Sequence, residues 1–216
     1  MTRKEFYDEE MNKGLIKALY MIDMNNGFVN FGPMANPKYN ELVPEQLKML
    51  EKFKREDQVI NFILEAHDPD AAEFKAYPKH CVRGTDEAEV IPEFKEYFLQ
   101  QNAGKYYKNC INGLFNTKLQ DDIRRLKAIK EVVIEGVCAD LCVMDFARNY
   151  ARFLDEINRE AKIFVVRNAI DTFDAPGHNR EEWMNIAEKV MTQAGIEYVD
   201  NIEQLEERER QLQLTL

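Results

Sequence analysis

Short apolar runs rich in β-branched residues alternate along this chain with segments whose apolar residues recur at helical spacing. EVVIEGVC (131–138) and KIFVVRN (162–168) read as buried strands, and LCVMDFARNYARFLDEIN (141–158) between them reads as a long helix. The same alternation runs through the whole sequence. Further strands are expected at 16–22, 58–66, 105–111 and 196–200, and further helices at 42–55, 92–101, 118–129, 179–195 and 201–214. Strands separated by helices pair in parallel through crossovers, so the pattern predicts an α/β fold with a mainly parallel central sheet. The chain has 216 residues, 45% of them hydrophobic, which suits one domain with a sizeable core. No internal repeat or low-complexity linker divides it. It is read as a single domain over 1–216, with 1–15 as an N-terminal extension and 201–216 as a C-terminal helix.

Two long irregular stretches, 24–41 and 67–91, follow the first and second strands. Long loops in compact domains are commonly functional, and open parallel sheets bind ligands beyond the carboxyl ends of their strands. The site is therefore expected where these loops begin.

A formal net charge of −10 argues against nucleic acid and anionic membrane surfaces as partners. The opening residues, MTRKEFYDEEMNKG, contain no apolar segment of the kind a signal peptide needs, and no run approaches the ~20 apolar residues of a spanning helix. A cytoplasmic location is expected. The four cysteines, Cys81, Cys110, Cys138 and Cys142, form no C-x-x-C pair and are read as free thiols.

Several residues could carry chemistry. Asp23 directly follows the first apolar strand, as a turn cap or as a general base at the sheet edge. Cys142 lies in GVCADLCV (136–143), where a strand passes through small residues into a helix. Asp140 is expected as the N-cap of that helix, which puts Cys142 in its first turn, where unpaired N–H groups favour a thiolate. Cys138, four residues earlier, ends the strand. As small buried hydrophobes both would be inert; the strand-to-helix turn favours Cys142 as a nucleophile. Two of the three histidines, His67 and His80, share the stretch LEAHDPDAAEFKAYPKHCV with Glu65, Asp68, Asp70 and Glu73. Imidazole with carboxylate suits zinc, iron or manganese. His178, in DAPGHNREEW, is assigned to a loop or a helix start. Nothing local distinguishes Lys108 from a surface lysine.

Over residues 16–200 these pieces resemble the isochorismatase-like cysteine hydrolases, and within them the nicotinamidase branch. GVCADLCV is similar to the family's Gly-Val-x-Thr-Asp-x-Cys-Val, whose cysteine is the nucleophile and falls on Cys142. YMIDMNNGFVN resembles the opening strand with its catalytic aspartate, Asp23. KNCINGLF resembles the lysine segment Lys-x-x-x-Ser-Ala-Phe and assigns Lys108, although Asn112-Gly113-Leu114 replaces the last three residues. YPKHCVRGT (77–85) is close to the nicotinamidases' Trp-Pro-x-His-Cys-Val-x-Gly-Thr. The chain departs from the family at Glu65-Ala66-His67, where Asp-Trp-His is usual, at Tyr77 for Trp, and at Ala139 for Thr.

The resemblance implies a three-layer α/β/α fold and an amidohydrolase that converts nicotinamide to nicotinate and ammonia through a cysteine thioester, a reaction of NAD salvage. It also implies an oxyanion hole from the backbone N–H groups of Cys138 and Cys142, with a cis peptide bond at Val137–Cys138. One divalent ion, zinc first and iron or manganese as alternatives, would be held by Glu65, His67 and His80, with Glu73 near it. Nucleophile and ion are expected to be independent of each other. Phe28, Tyr77 and Asn25 would contact the substrate, and the protein would be a homo-oligomer. Other readings of the same residues are a related hydrolase of another small amide or carbamoyl compound, a silent binding member of the fold, and a metallohydrolase in which Cys142 is merely buried.

Overall fold

The computed structural model describes residues 17–213. The proposed N-terminal extension, the first residue of the first strand and the last three residues of the chain lie outside them. Six strands form one sheet: β1 (Lys17–Ile22), β2 (Val59–Glu65), β3 (Gly104–Lys108), β4 (Glu131–Val137), β5 (Lys162–Asp171) and β6 (Glu197–Val199). Their order is β3-β2-β1-β4-β5-β6 and every pairing is parallel. β1 lies centrally, and the chain winds outward from it first one way and then the other.

Alternation along the buried strands divides the core into two halves. Leu19, Met21, Phe62, Leu64, Val133 and Phe164 face one side, where Met49, Leu50 and Phe53 of helix α1 (Val43–Arg55) cover them. Ala18, Tyr20, Ile63, Tyr106, Val132 and Val165 face the other, against helices α2 (Thr117–Arg125), α3 (Met144–Glu156) and α4 (Arg180–Gln193). Helix α5 (Ile202–Gln213) returns to the α1 side, where Leu205 enters the core and Glu209 meets Lys17 at 2.8 Å. The arrangement is the expected three-layer α/β/α sandwich. Among the described residues, no helix is long and apolar enough to cross a membrane.

Three expected elements differ. The helix expected at 92–101 is a 3₁₀ turn, Pro92–Phe94, and one α turn, Lys95–Phe98. Phe94, Tyr97 and Phe98 have helical spacing and are buried, but the run is too short to propagate a helix. The strand expected at 105–111 stops at Lys108, and Asn112 then caps a 3₁₀ turn by accepting from Leu114 N at 2.8 Å. β5 runs three residues beyond the expected 168, after a register shift against β4 between Ile134 and Gly136.

Gly136 shows why the motif around Cys142 opens with glycine. Its φ is +124°, and a Cβ there would lie 1.9 Å from Ile22 O. Only glycine lets the strand that leads to Cys142 pass this close to the strand that ends in Asp23.

Candidate active site

Four neighbouring strands, β3, β2, β1 and β4, deliver their carboxyl ends to one place. Asp23 follows β1 with φ +50°, a left-handed conformation that aspartate tolerates better than most residues, and its N–H donates to Ile63 O at 2.8 Å. Glu65 ends β2 and is the register partner of Lys108, which ends β3. Beyond β4 the Val137–Cys138 peptide is cis, as expected. The chain then makes one π-turn, Ala139–Val143, before α3 begins at Met144. Asp140 therefore does not cap the helix. Cys138 holds the cap position, and Cys142 sits in the π-turn ahead of α3. The assignment of Asp140 failed because a strand-to-helix junction reads alike whether its first turn is α or π.

Lys108 is 4% exposed and lies at the centre. Its ammonium is 2.8 Å from Asp23 Oδ2, 2.5 Å from Glu65 Oε1 and 3.6 Å from Cys142 Sγ. One carboxylate oxygen each from Asp23 and Glu65 lies with Cys142 Sγ inside a 4.8 Å group. Asp23 Oδ1 is buried without a hydrogen-bond partner, an acceptor facing no donor of its own. The surface reading of Lys108 is thereby excluded. Lys105, three residues back, points to the opposite face of β3 and lies over the Phe98 ring.

The electrostatics separate the two carboxylates. Burial pushes the Asp23 carboxyl up to about 7, against the pull of Lys108 and with the help of the Glu65 charge. Burial also raises Glu65, but Lys108 and the two imidazoles more than offset it and hold that group well below the usual carboxylate range. Two acids sharing one ammonium are thus driven apart. Burial pushes the Cys142 thiol well above its ordinary value although Lys108 opposes the shift. Burial thus outweighs the stabilisation of a thiolate expected from the place of Cys142 near a helix start. Burial raises the Cys138 thiol to about 12, and Tyr39 Oη lies 3.3 Å from its sulfur.

The second group adjoins the first. His67 Nε2 is 3.1 Å and His80 Nε2 2.8 Å from Glu65 Oε2, and Glu73 Oε1 is 3.8 Å from His67 Nε2. One ligand atom from each of the four falls within 4.8 Å of the others. His80 Nδ1 donates to Pro78 O at 2.6 Å, which orients the ring with Nε2 toward the cluster, and His67 Nδ1 is buried without a partner. Two imidazoles and two carboxylates converging in this way fit a divalent cation of the zinc, iron or manganese type. Cys142 and this cluster had been expected to be independent; they are linked through Glu65. Glu65 belongs to both, with Oε1 on Lys108 and Oε2 facing the histidines. Its extra methylene relative to aspartate spans the two.

Above Cys138 opens a cleft of about 680 Å³ lined by Phe28, Met34, Tyr39, Tyr77, Cys138 and Phe173, among others. Phe28 and Tyr77, the expected substrate contacts, both line this cleft. Asn25 is turned to another use: both its N–H donors are taken, by Glu65 O at 3.0 Å and Ala88 O at 2.8 Å, and its Oδ1 accepts from Glu65 N at 3.2 Å. It braces the backbone of Glu65. Tyr39, Met34 and Phe173 had not been singled out, because each reads as an ordinary apolar residue and only the fold brings them together.

The fold and site define an α/β protein with a buried acid, lysine and thiol beside a cation-binding cluster. The Isochorismatase domain family profile matches residues 17–195, and the chain belongs to that family. It is 34% identical over 190 residues to Nicotinamidase 1 of Arabidopsis thaliana, covering 79% of this chain and 77% of that protein. Among solved structures it is similar to N-carbamoylsarcosine amidase from Thermoplasma acidophilum, with a TM-score of 0.68 and 28% identity over 86% of this chain and 96% of that one. The fold also matches a pyrazinamidase of Pyrococcus horikoshii solved in complex with zinc, with a TM-score of 0.69 and 24% identity over 85% of this chain and 98% of the other.

Proposed function

We propose that this protein is a single-domain amide hydrolase whose substrate is nicotinamide, with Cys142 as nucleophile, Asp23 as general base and acid, and Lys108 as the charge that holds them together. The observation that carries the reading is the buried contact of Lys108 with Asp23, Glu65 and Cys142 at the mouth of four parallel strands.

Asp23 in its ionised form removes the thiol proton of Cys142, and the sulfur attacks the amide carbonyl carbon. The carbonyl electron pair moves to oxygen, where the backbone N–H groups of Cys138 and Cys142 would receive it; losing one such donor typically costs about 100- to 1,000-fold in rate. As the tetrahedral intermediate collapses, the C–N bond breaks and Asp23 returns its proton to the departing ammonia, leaving a thioester on Cys142. Water then adds to the thioester with Asp23 again as base, and nicotinate leaves as the thiol reforms. A carboxyl group with its midpoint near 7 suits both proton transfers. Glu65, His67 and His80, with Glu73 beside them, would hold a divalent ion, zinc first, which when bound orients the substrate and polarises it as a Lewis acid. Phe28 and Tyr77 form cleft walls against which a planar ring can stack.

Ammonia release from nicotinamide, measured alongside a panel of small amides, tests the reading. Hydrolysis of a carbamoyl compound with nicotinamide left untouched would favour the second reading, a related amidase. That alternative is supported by the 28% identity to N-carbamoylsarcosine amidase. No turnover of any amide by metal-loaded protein would remove both.

A further inference from the structure

Asp140 lies in the π-turn, midway between Cys138 and Cys142, and the chemistry above leaves its side chain unused. The residue is 3% exposed, and both its oxygens are taken by the segment that follows β5. Thr172 Oγ1 donates to Oδ1, and His178 Nε2 is in hydrogen-bond contact with Oδ2 at 2.9 Å. His178 Nδ1 is in hydrogen-bond contact with Phe173 O at 3.0 Å. The imidazole lies flat between two aromatic rings: Phe173 at 3.8 Å with 9° between planes, and Trp183 of α4 at 4.9 Å with 3°. Thr172 and Phe173 belong to the wall of the cleft. A single side chain thus joins the turn that carries the thiol, the wall that faces the substrate, and the first turn of α4.

We propose that His178 is a positioning residue: by holding Asp140 it fixes the π-turn, and with it Cys142, relative to Phe173 and the cleft wall. This deepens the cysteine-hydrolase reading and rests on it. A π-turn has poorer hydrogen-bond geometry than an α turn and is enforced from outside. Here the enforcing contacts on the buried carboxylate are those of His178 and Thr172. The sensitivity is large, since a displacement of about 1 Å at a reacting group can cost about 100-fold in rate.

The competing explanation is that His178 merely fills the space between Phe173 and Trp183. Two substitutions separate these roles. His178→Gln keeps an N–H within reach of Asp140 and gives up the flat stack, whereas His178→Phe keeps the stack and gives up both hydrogen bonds. Each full-length variant, reconstituted with zinc, is assayed for kcat and KM with nicotinamide. Thermal midpoint, emission of Trp183, the sole tryptophan in the chain, and the rate of Cys142 alkylation by iodoacetamide mapped by mass spectrometry complete the set. We expect His178→Phe to lose about 10- to 100-fold in kcat and in Cys142 alkylation, with KM changed only a few-fold and a thermal midpoint close to that of the parent. His178→Gln should recover most of both rates while Trp183 emission changes. Parent-like alkylation and kcat in His178→Phe, or equal losses in both variants that track thermal midpoint, would overturn the proposal. If no amide is hydrolysed even by the parent, the functional reading fails, and the alkylation rates still decide the role of His178. Should His178→Phe not fold, Thr172→Val removes the other bond to Asp140 at nearly constant shape, and unchanged alkylation there is equally fatal.

Discussion

Replacing Lys108 by methionine removes the one positive charge shared by Asp23, Glu65 and Cys142 while keeping most of the side-chain volume. The ammonium stands 2.8 Å from Asp23 Oδ2 and 3.6 Å from Cys142 Sγ. It therefore favours a negative charge on either atom, and more so on the nearer Asp23. What the lysine sets is how much negative charge the pocket holds at all. At 2.8 Å and an effective dielectric near 20, the attraction to Asp23 is about 6 kcal/mol. Water admitted beside the methionine screens part of this, and removing one partner of a buried pair costs about 3–5 kcal/mol. Without the ammonium, burial and the Glu65 charge act on Asp23 against only the weaker pull of the Cys142 contact and push its carboxyl above the parent value of about 7.

The consequence is a smaller fraction of ionised Asp23 at neutral pH. The acid limb of kcat/KM, expected near pH 7 in the parent, should move to higher pH in Lys108→Met. At pH 7, kcat/KM should fall about 100- to 1,000-fold, the lower part of the energy range above. Alkylation of Cys142 should slow in parallel, since a thiol already raised by burial loses the one group that opposes the rise. The assay is a pH–rate profile for ammonia release from pH 5 to 9, run below the thermal midpoint of the variant. An acid limb that stays in place, with kcat/KM within threefold of the parent, would refute the reasoning even if the protein is less stable.

Cys142→Ala should abolish turnover with the fold intact, and Cys138→Ala should keep much of it, because only the backbone N–H of Cys138 is used; ammonia release and circular dichroism check both. His67→Ala and His80→Ala should each lose the bound ion, seen by elemental analysis after dialysis without chelator, and raise KM sharply. Glu65→Asp should weaken both partners of that carboxylate, lowering metal content and slowing Cys142 alkylation together; a loss of one without the other would separate the clusters that the longer side chain joins. Glu135→Gln should stabilise the protein at pH 8 more than at pH 5, read from urea unfolding. Burial, then the nearby Glu45 charge, pushes the Glu135 carboxyl well above its ordinary value, and neither oxygen has a hydrogen-bond partner. The folded state thus retains a proton that the unfolded chain releases above about pH 4.5, and stability falls by up to about 1.4 kcal/mol per pH unit above that point until Glu135 itself ionises.

Where the sequence is repetitive in its physics, it is legible. The strands around the centre of the sheet are buried on both faces, so VINFILE and EVVIEGV carry mostly apolar residues on both faces, as a covered parallel sheet requires. The long helices α1, α3 and α4 were placed to within a few residues because each has one buried stripe. Legibility ends where local pattern and three-dimensional outcome part. The π-turn at Ala139–Val143 and the one-turn helix at Lys95–Phe98 show the same spacing as longer α-helices. Asn25, a polar residue two positions from Asp23, invited a substrate role, yet its amide is consumed by backbone that no sequence motif could show.

The site follows the same division. Asp23 and Cys142 are marked by their positions at strand ends, but Lys108 has no local mark and required the family resemblance. Its role depends on register: Glu65 and Lys108 are partners across β2 and β3, forty-three residues apart in sequence. That register also explains how the chain tolerates glutamate where aspartate is usual. A carboxylate one methylene longer at the end of β2 can place one oxygen on the ammonium of the next strand and the other on two imidazoles beyond the sheet edge. The single lysine must then serve two acids. Because Glu65 is held ionised by three cationic or donor neighbours, the deficit falls on Asp23, whose carboxyl rises toward neutrality and becomes the group able to exchange a proton. The depressed Glu65 carboxyl and the raised Asp23 carboxyl are thus two consequences of one shared ammonium.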